Sequence, residues 1–146
     1  PMGHKPFLTR WVLDPKAKTC SEEMLDDRPM EFSRVHPDYD GKQHRFGYLL
    51  NDGRLNNYFK HDFEKSKTAV HDFGETCQAA EPVFIPKKNA NSEDDGFVVG
   101  FVYDKKTDLS DFVILDAQNF SEAPLARVTL PQRVPFGFHG SWINLD

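Results

Sequence analysis

Apolar residues in this chain come in short runs or in strict alternation with polar ones, at Phe7 to Leu13, Phe46 to Leu50, Tyr58 to Asp62, Pro82 to Ile85, Phe97 to Tyr103, Phe112 to Leu115, Leu125 to Leu130 and Phe136 to Ile143. Period-two patterning rich in β-branched and aromatic side chains predicts strands, and a chain assembled from such pieces folds as antiparallel sheet. Asp40-Gly41, Asn51-Asp52-Gly53, Asp95-Gly96 and the Pro131 to Pro135 segment punctuate the pattern with tight-turn residues. Only Lys65 to Val70 and Ser121 to Ala126 predict a helical turn, and neither sustains a helical period beyond about two turns. The expected fold class is all-β.

Three of the strands end alike. Trp11-Val12-Leu13-Asp14, Tyr58-Phe59-Lys60-His61-Asp62 and Val113-Ile114-Leu115-Asp116 each run into a short polar turn, and Phe101-Val102-Tyr103-Asp104 repeats the device. Any antiparallel sheet can contain strand-Asp-turn-strand. The Asp positions 14, 62 and 116 nevertheless lie about 50 residues apart, near the roughly 40 to 50 residue period of propeller blades. Roughly three blades cannot close a ring for which 4 to 8 are typical, so the expected object is an arc of a larger protein. A first residue, Pro1, that is no initiator points the same way.

Composition narrows the class. The 146 residues suffice for one domain at most, and 38% hydrophobic content with 13 Phe is enough for a core. The net charge of −5, without a basic run longer than a pair, argues against nucleic acid as a partner. No apolar stretch approaches the roughly 18 residues of a membrane-spanning helix. Residues 1–6 lack the apolar core of a signal peptide, so the expected location is cytoplasmic. Cys20 and Cys77 form no metal or redox motif and are expected as reduced thiols.

Four segments carry possible chemistry. Met30-Glu31-Phe32-Ser33-Arg34 sets a carboxylate and a guanidinium on a strand, compatible with a plain exposed ion pair. Ala80-Glu81-Pro82-Val83-Phe84-Ile85-Pro86 places Glu81 before a strand-leading proline, where an ordinary surface role is open. Ser92-Glu93-Asp94-Asp95-Gly96 lacks the alternating ligand spacing of a calcium loop and is expected as a solvated turn. Pro135-Phe136-Gly137-Phe138-His139-Gly140-Ser141-Trp142 holds one His between glycines in an aromatic strand, where backbone or ligand can approach closely.

In sequence and order these landmarks resemble the C-terminal part of the carotenoid cleavage oxygenase family, which includes bacterial lignostilbene dioxygenases and the retinal pigment epithelium isomerohydrolase. The resemblance runs from about Trp11 to Trp142 and is most specific at Glu93-Asp94-Asp95-Gly96, Tyr103-Asp104, Leu115-Asp116-Ala117 and Pro135 to Gly140. It implies the last blades of a seven-bladed β-propeller, with residues 1–146 a C-terminal portion of a single domain and no second domain. It further implies an axial Fe(II) held by four histidines, with His139 as the last ligand and Glu31 and Glu81 as carboxylates that orient ligand imidazoles. A metal-bound His usually donates its other N–H to a carboxylate or carbonyl, which gives those two glutamates a reason. Phe136, Phe138 and Trp142 are expected to pack around the site. His4, His36, His44, His61 and His71 match no ligand segment, so one ligand is expected here and three elsewhere. Ser33 stands where many relatives have proline, with an effect expected on strand geometry alone.

The implied activity is cleavage of a C=C bond in a carotenoid, apocarotenoid or stilbenoid by O2, with two carbonyl products. The expected partners are O2, a hydrophobic conjugated alkene and the remaining N-terminal blades, with a membrane surface compatible but not indicated. The 146 residues alone are expected to be inactive. The alternative is a metal-free β-propeller or β-sandwich binding module, which explains the strands and the acidic balance equally well.

Overall fold

The alternating pattern folds as antiparallel sheet throughout: the computed structural model describes residues 5–143, with one 3₁₀ turn at Pro37–Tyr39 and no α-helix among them. One five-stranded sheet follows chain order through β1 (Phe7–Asp14), β2 (Thr19–Arg34), β3 (Phe46–Asn51), β4 (Asn57–Asp62) and β5 (Lys67–Asp72). The other contains β6 (Cys77–Ala79), β7 (Val83–Pro86), β8 (Gly96–Asp104), β9 (Leu109–Asp116) and β10 (Ala126–Thr129). Its order is β10-β9-β8, with β6 and β7 sharing the free side of β8. The described residues form two such sheets, rather than three. No helix of the described residues is long and apolar enough to cross a membrane.

The Asp echo is a turn device. Asp14 Oδ1 accepts from the amides of Lys16 and Ala17 at 2.9 and 3.0 Å. Asp62 does the same for Glu64 and Lys65, Asp104 for Lys106, and Asp116 for Gln118 and Asn119. A short carboxylate side chain that binds the backbone two or three residues on ends a strand and starts a hairpin. The spacing therefore records hairpin ends rather than equivalent points on successive blades.

The core fills the space between the sheets. Tyr48, Leu50 and Tyr58 of the first pack against Phe84, Val98, Val102, Val113 and Leu115 of the second. Leu49 and Phe59 face the other way with Met30, so the first sheet is apolar on both sides at its centre. The outer β1–β2 hairpin leaves Trp11, Leu13 and Met24 exposed. Both cysteines are free, Cys20 exposed and Cys77 buried.

Several expectations are corrected. Residues Lys67–Asp72 form β5 rather than a helical turn, because Thr68 and Val70 alternate on a pleat that pairs with β4. Ser121 to Ala126 holds no helical turn either: it is turn, bend and irregular chain up to Ala126, which opens β10. Phe136 to Ile143 is irregular, not a strand, and joins no ladder: its Gly140 amide goes to a carboxylate, as just upstream the Val134 amide goes to Ser110 Oγ at 3.0 Å. The acidic turn is not merely solvated. Glu93 accepts from the backbone amides of Arg45 (2.8 Å) and Phe46 (2.7 Å) at the head of β3, and Asp94 meets the Lys60 ammonium at 2.6 Å. Lys60 is buried and also donates to Ala117 O at 2.6 Å. These charge-assisted bonds join the two sheets.

Candidate metal and substrate site

Both glutamates singled out by the sequence sit where a ladder is interrupted. Between β6 and β7 the chain leaves β8 for Ala80, Glu81 and Pro82, while the Ala80 amide still reaches Phe101 O at 2.8 Å. The Ala80 carbonyl accepts from the Tyr58 hydroxyl at 2.7 Å, across the sheet interface. Gly100 makes room for that contact: a Cβ there would lie 2.0 Å from Tyr58 Oη. On β2 the register slips between Glu31 and Arg34, and Phe32 takes a φ of 53°. An aromatic residue in that region is a local strain that the surroundings must impose.

The break in the second sheet buries Glu81, whose side chain is 4% exposed, correcting its reading as a surface residue. Three hydrogen bonds and one further ion-pair contact surround it. Oε1 receives His139 Nδ1 at 3.2 Å and lies 2.9 Å from Arg34 Nε, a contact too bent to be a hydrogen bond. Oε2 accepts from the Gly140 amide at 2.8 Å and from Arg34 Nη2 at 3.0 Å. Arg34 Nη2 also donates to the Gly140 carbonyl. Arg34 thus pairs with Glu81, not with Glu31 as the local sequence suggested: the one-residue slip at Phe32 sets Arg34 opposite Tyr48, on the face that packs against the second sheet. Burial raises the Glu81 pKa, but the Gly140 amide, Arg34 and His139 outweigh it and hold the carboxyl below its usual value.

His139 is 62% exposed. Its ring stands edge-on to Phe32 at 5.6 Å and Phe138 at 4.8 Å, and Phe32 meets Phe138 at 5.4 Å. Nδ1 is engaged by Glu81, while Nε2 has no hydrogen-bond partner among the described residues. These residues line a largely apolar cavity of about 630 Å³, together with Val99, Phe101, Phe112, Trp142 and Glu31. Phe136 packs against Tyr103 at 6.2 Å, and both rings take the Arg133 guanidinium.

An imidazole held through one nitrogen by an ionised carboxylate, with the other free, has the chemistry of a transition-metal ligand. That fits one donor to iron and no more: among the described residues no three His, Cys, Asp or Glu side chains cluster as a metal site. His36 accepts from the Asp38 amide at 3.1 Å, His61 bonds Thr68 at 2.8 Å, and His71 is buried against Phe73. His4 lies outside the described residues. Sequence reasoning missed Tyr58 and Gly100, gave Phe32 no part in the site and matched Arg34 with the wrong carboxylate. Of these only Gly100 carries a local signal, a glycine inside a strand pattern.

Residues 2–144 match the family described as "Retinal pigment epithelial membrane protein". The chain is 35% identical over 140 residues to a Crocus sativus zeaxanthin 7,8(7',8')-cleavage dioxygenase, covering 88% of this chain and 38% of that protein. It is 31% identical over 141 residues to the apocarotenoid-15,15'-oxygenase of Synechocystis sp., covering 92% and 29%. It spans about a third of the length of these relatives. Among solved structures it superimposes on an ACO/RPE65 chimera with a TM-score of 0.92 at 30% identity, covering 94% of this chain and 30% of that one. A cobalt-substituted Synechocystis ACO gives 0.90 at 31% identity, with the same coverage. The two sheets are blades of a seven-bladed β-propeller, of which this chain is a part.

Proposed function

Because the chain belongs to the retinal pigment epithelial membrane protein family, that of the carotenoid cleavage oxygenases, we propose that it is the C-terminal portion of a single-domain, Fe(II)-dependent dioxygenase. The substrate is a carotenoid, apocarotenoid or stilbenoid. One alkene and one O2 give two carbonyl products: both C=C components and the O–O bond are broken, two C=O bonds form, and no external reductant is consumed. The observation that carries this reading is the His139–Glu81 pair in the wall of the apolar cavity.

Bound Fe(II) supplies the redox chemistry by which O2 reacts with a conjugated double bond. The residues of this chain do the rest of what falls to them. Glu81 holds the proton of His139 at Nδ1 and so presents Nε2 as the donor. Glu31, which lines the same cavity, does the equivalent for an imidazole supplied by the remainder of the protein. Phe32, Phe136, Phe138 and Trp142 line the cavity and offer apolar surface to a long substrate. One imidazole cannot hold a divalent metal against water, so residues 1–146 by themselves are inactive.

The test is elemental analysis of the full-length gene product with and without His139→Ala. The parent should carry about one iron per chain and the variant should lose it on gel filtration. Iron retained at the parental level by the variant removes His139 from the site.

A further inference from the structure

Glu81 orients His139, but a carboxylate on a single strand break is not rigid by itself. Its side chain has rotatable bonds, and the segment that carries His139 is outside any ladder. Arg34 closes that freedom. Its guanidinium meets both Glu81 oxygens, at 2.9 and 3.0 Å, and the same Nη2 reaches the Gly140 carbonyl, while the Gly140 amide returns to Glu81 Oε2 at 2.8 Å. Arg34, Glu81 and Gly140 therefore form a closed ring of polar contacts around the residue next to His139. Arg34 comes from β2 of the first sheet and Glu81 from the second, so the ring also fixes the sheets to each other at the site. A planar guanidinium does this in a way an ammonium cannot, because its nitrogens are set at fixed angles and distances from one another.

We propose that Arg34 is a positioning residue for the metal site: by clamping Glu81 and the Gly140 carbonyl together it fixes the direction in which His139 presents Nε2. This rests on His139 being a metal ligand. Loss of a partner that orients a ligand typically lowers metal affinity about 10- to 100-fold.

The experiment uses the full-length protein stripped of metal and titrated with Co(II), whose absorption reports ligand geometry. Four forms are compared: parent, His139→Ala, Arg34→Met and Arg34→Lys. Hydrogen exchange at the Gly140 amide and the urea midpoint are measured on the metal-free forms. The expected result is that Arg34→Met binds Co(II) about tenfold or more weakly, with an altered absorption band and faster exchange at Gly140. Arg34→Lys, which keeps the stem and the charge but not the fork, recovers only part of the loss. If Arg34→Met does not fold, the Lys variant decides by the same criterion. Parental Co(II) affinity and spectrum in the Arg34 variants, with binding weakened in His139→Ala, would overturn the role of Arg34 alone, even if their urea midpoints fall. Parental binding by His139→Ala would overturn the ligand reading beneath it.

Discussion

Replacing Gly100 with alanine puts a methyl group 2.0 Å from Tyr58 Oη, 3.1 Å from its Cζ and 3.5 Å from the Glu81 carbonyl. The Tyr58 ring is 1% exposed and stands edge-on to Phe73 at 4.9 Å, so it has nowhere to retreat. The hydroxyl must leave Ala80 O, a bond of 2.7 Å. Overpacking of this kind costs about 1–3 kcal/mol, and stranding buried polar partners adds about 1–3 kcal/mol. Gly100→Ala should therefore destabilise by roughly 2–5 kcal/mol. Tyr58→Phe, which removes only the hydroxyl, should cost about 1–2 kcal/mol.

The double variant discriminates, because Tyr58→Phe deletes the atom that the new methyl strikes and leaves only the 3.1 Å approach to Cζ. Its cost should fall short of the sum of the single costs by about 1–3 kcal/mol. Urea unfolding of the metal-free full-length protein gives these differences as shifts in midpoint at constant slope. Costs that add to within about 0.5 kcal/mol would refute the steric argument. Because Ala80 precedes Glu81, iron retention should fall in Gly100→Ala and return in the double variant.

Lys60→Met leaves the Asp94 carboxylate without its partner at the sheet interface and should cost about 3–5 kcal/mol, much of it recovered by adding Asp94→Asn; a cost below about 1 kcal/mol in the same unfolding assay would contradict a bridging role. Burial holds His61 and His71 below their ordinary pKa, so the unfolded chain takes up protons first as pH falls. Their share of stability is complete well above pH about 6.5 and is lost below it. The urea midpoint should drop between about pH 7.5 and 5.5, less steeply in His71→Leu; an unchanged slope in that variant would remove His71 from the account.

The hairpins were legible because their determinants are local: alternating side chains pair β8 with β9, and an Asp at the strand end captures the next amides. The site was legible only as a motif. His139 and Glu81 are 58 residues apart in the chain, and no pattern in either segment names the other as partner. Arg34 was misassigned for the converse reason: Glu31 is its near neighbour in sequence, but the slip at Phe32 sends it to a carboxylate 47 residues away. The acidic turn looked solvated because its acceptors serve amides at the head of β3, 47 and 48 residues upstream. Phe136 to Ile143 has strand-like side chains, yet a strand needs a neighbour for its backbone, and here a carboxylate takes the Gly140 amide, as a hydroxyl takes that of Val134 just upstream.

Both glutamates lying at ladder breaks is a consequence of sheet geometry. In a regular strand successive side chains stand on alternate faces, so an inner carboxylate is either in the intersheet core or against the adjoining blade. A bulge re-aims one side chain without moving the strand. The break needs its freed backbone groups satisfied, and Phe101 O and Tyr58 Oη meet that need at Ala80. On β2 the corresponding cost is the positive φ of Phe32, whose ring then lies against His139. The strands supply the scaffold, and the chemistry stands where their pairing stops. Substitutions at Tyr58, Gly100 or Phe32, none of which donates to a metal, should therefore disturb the site more than equally buried changes within β9.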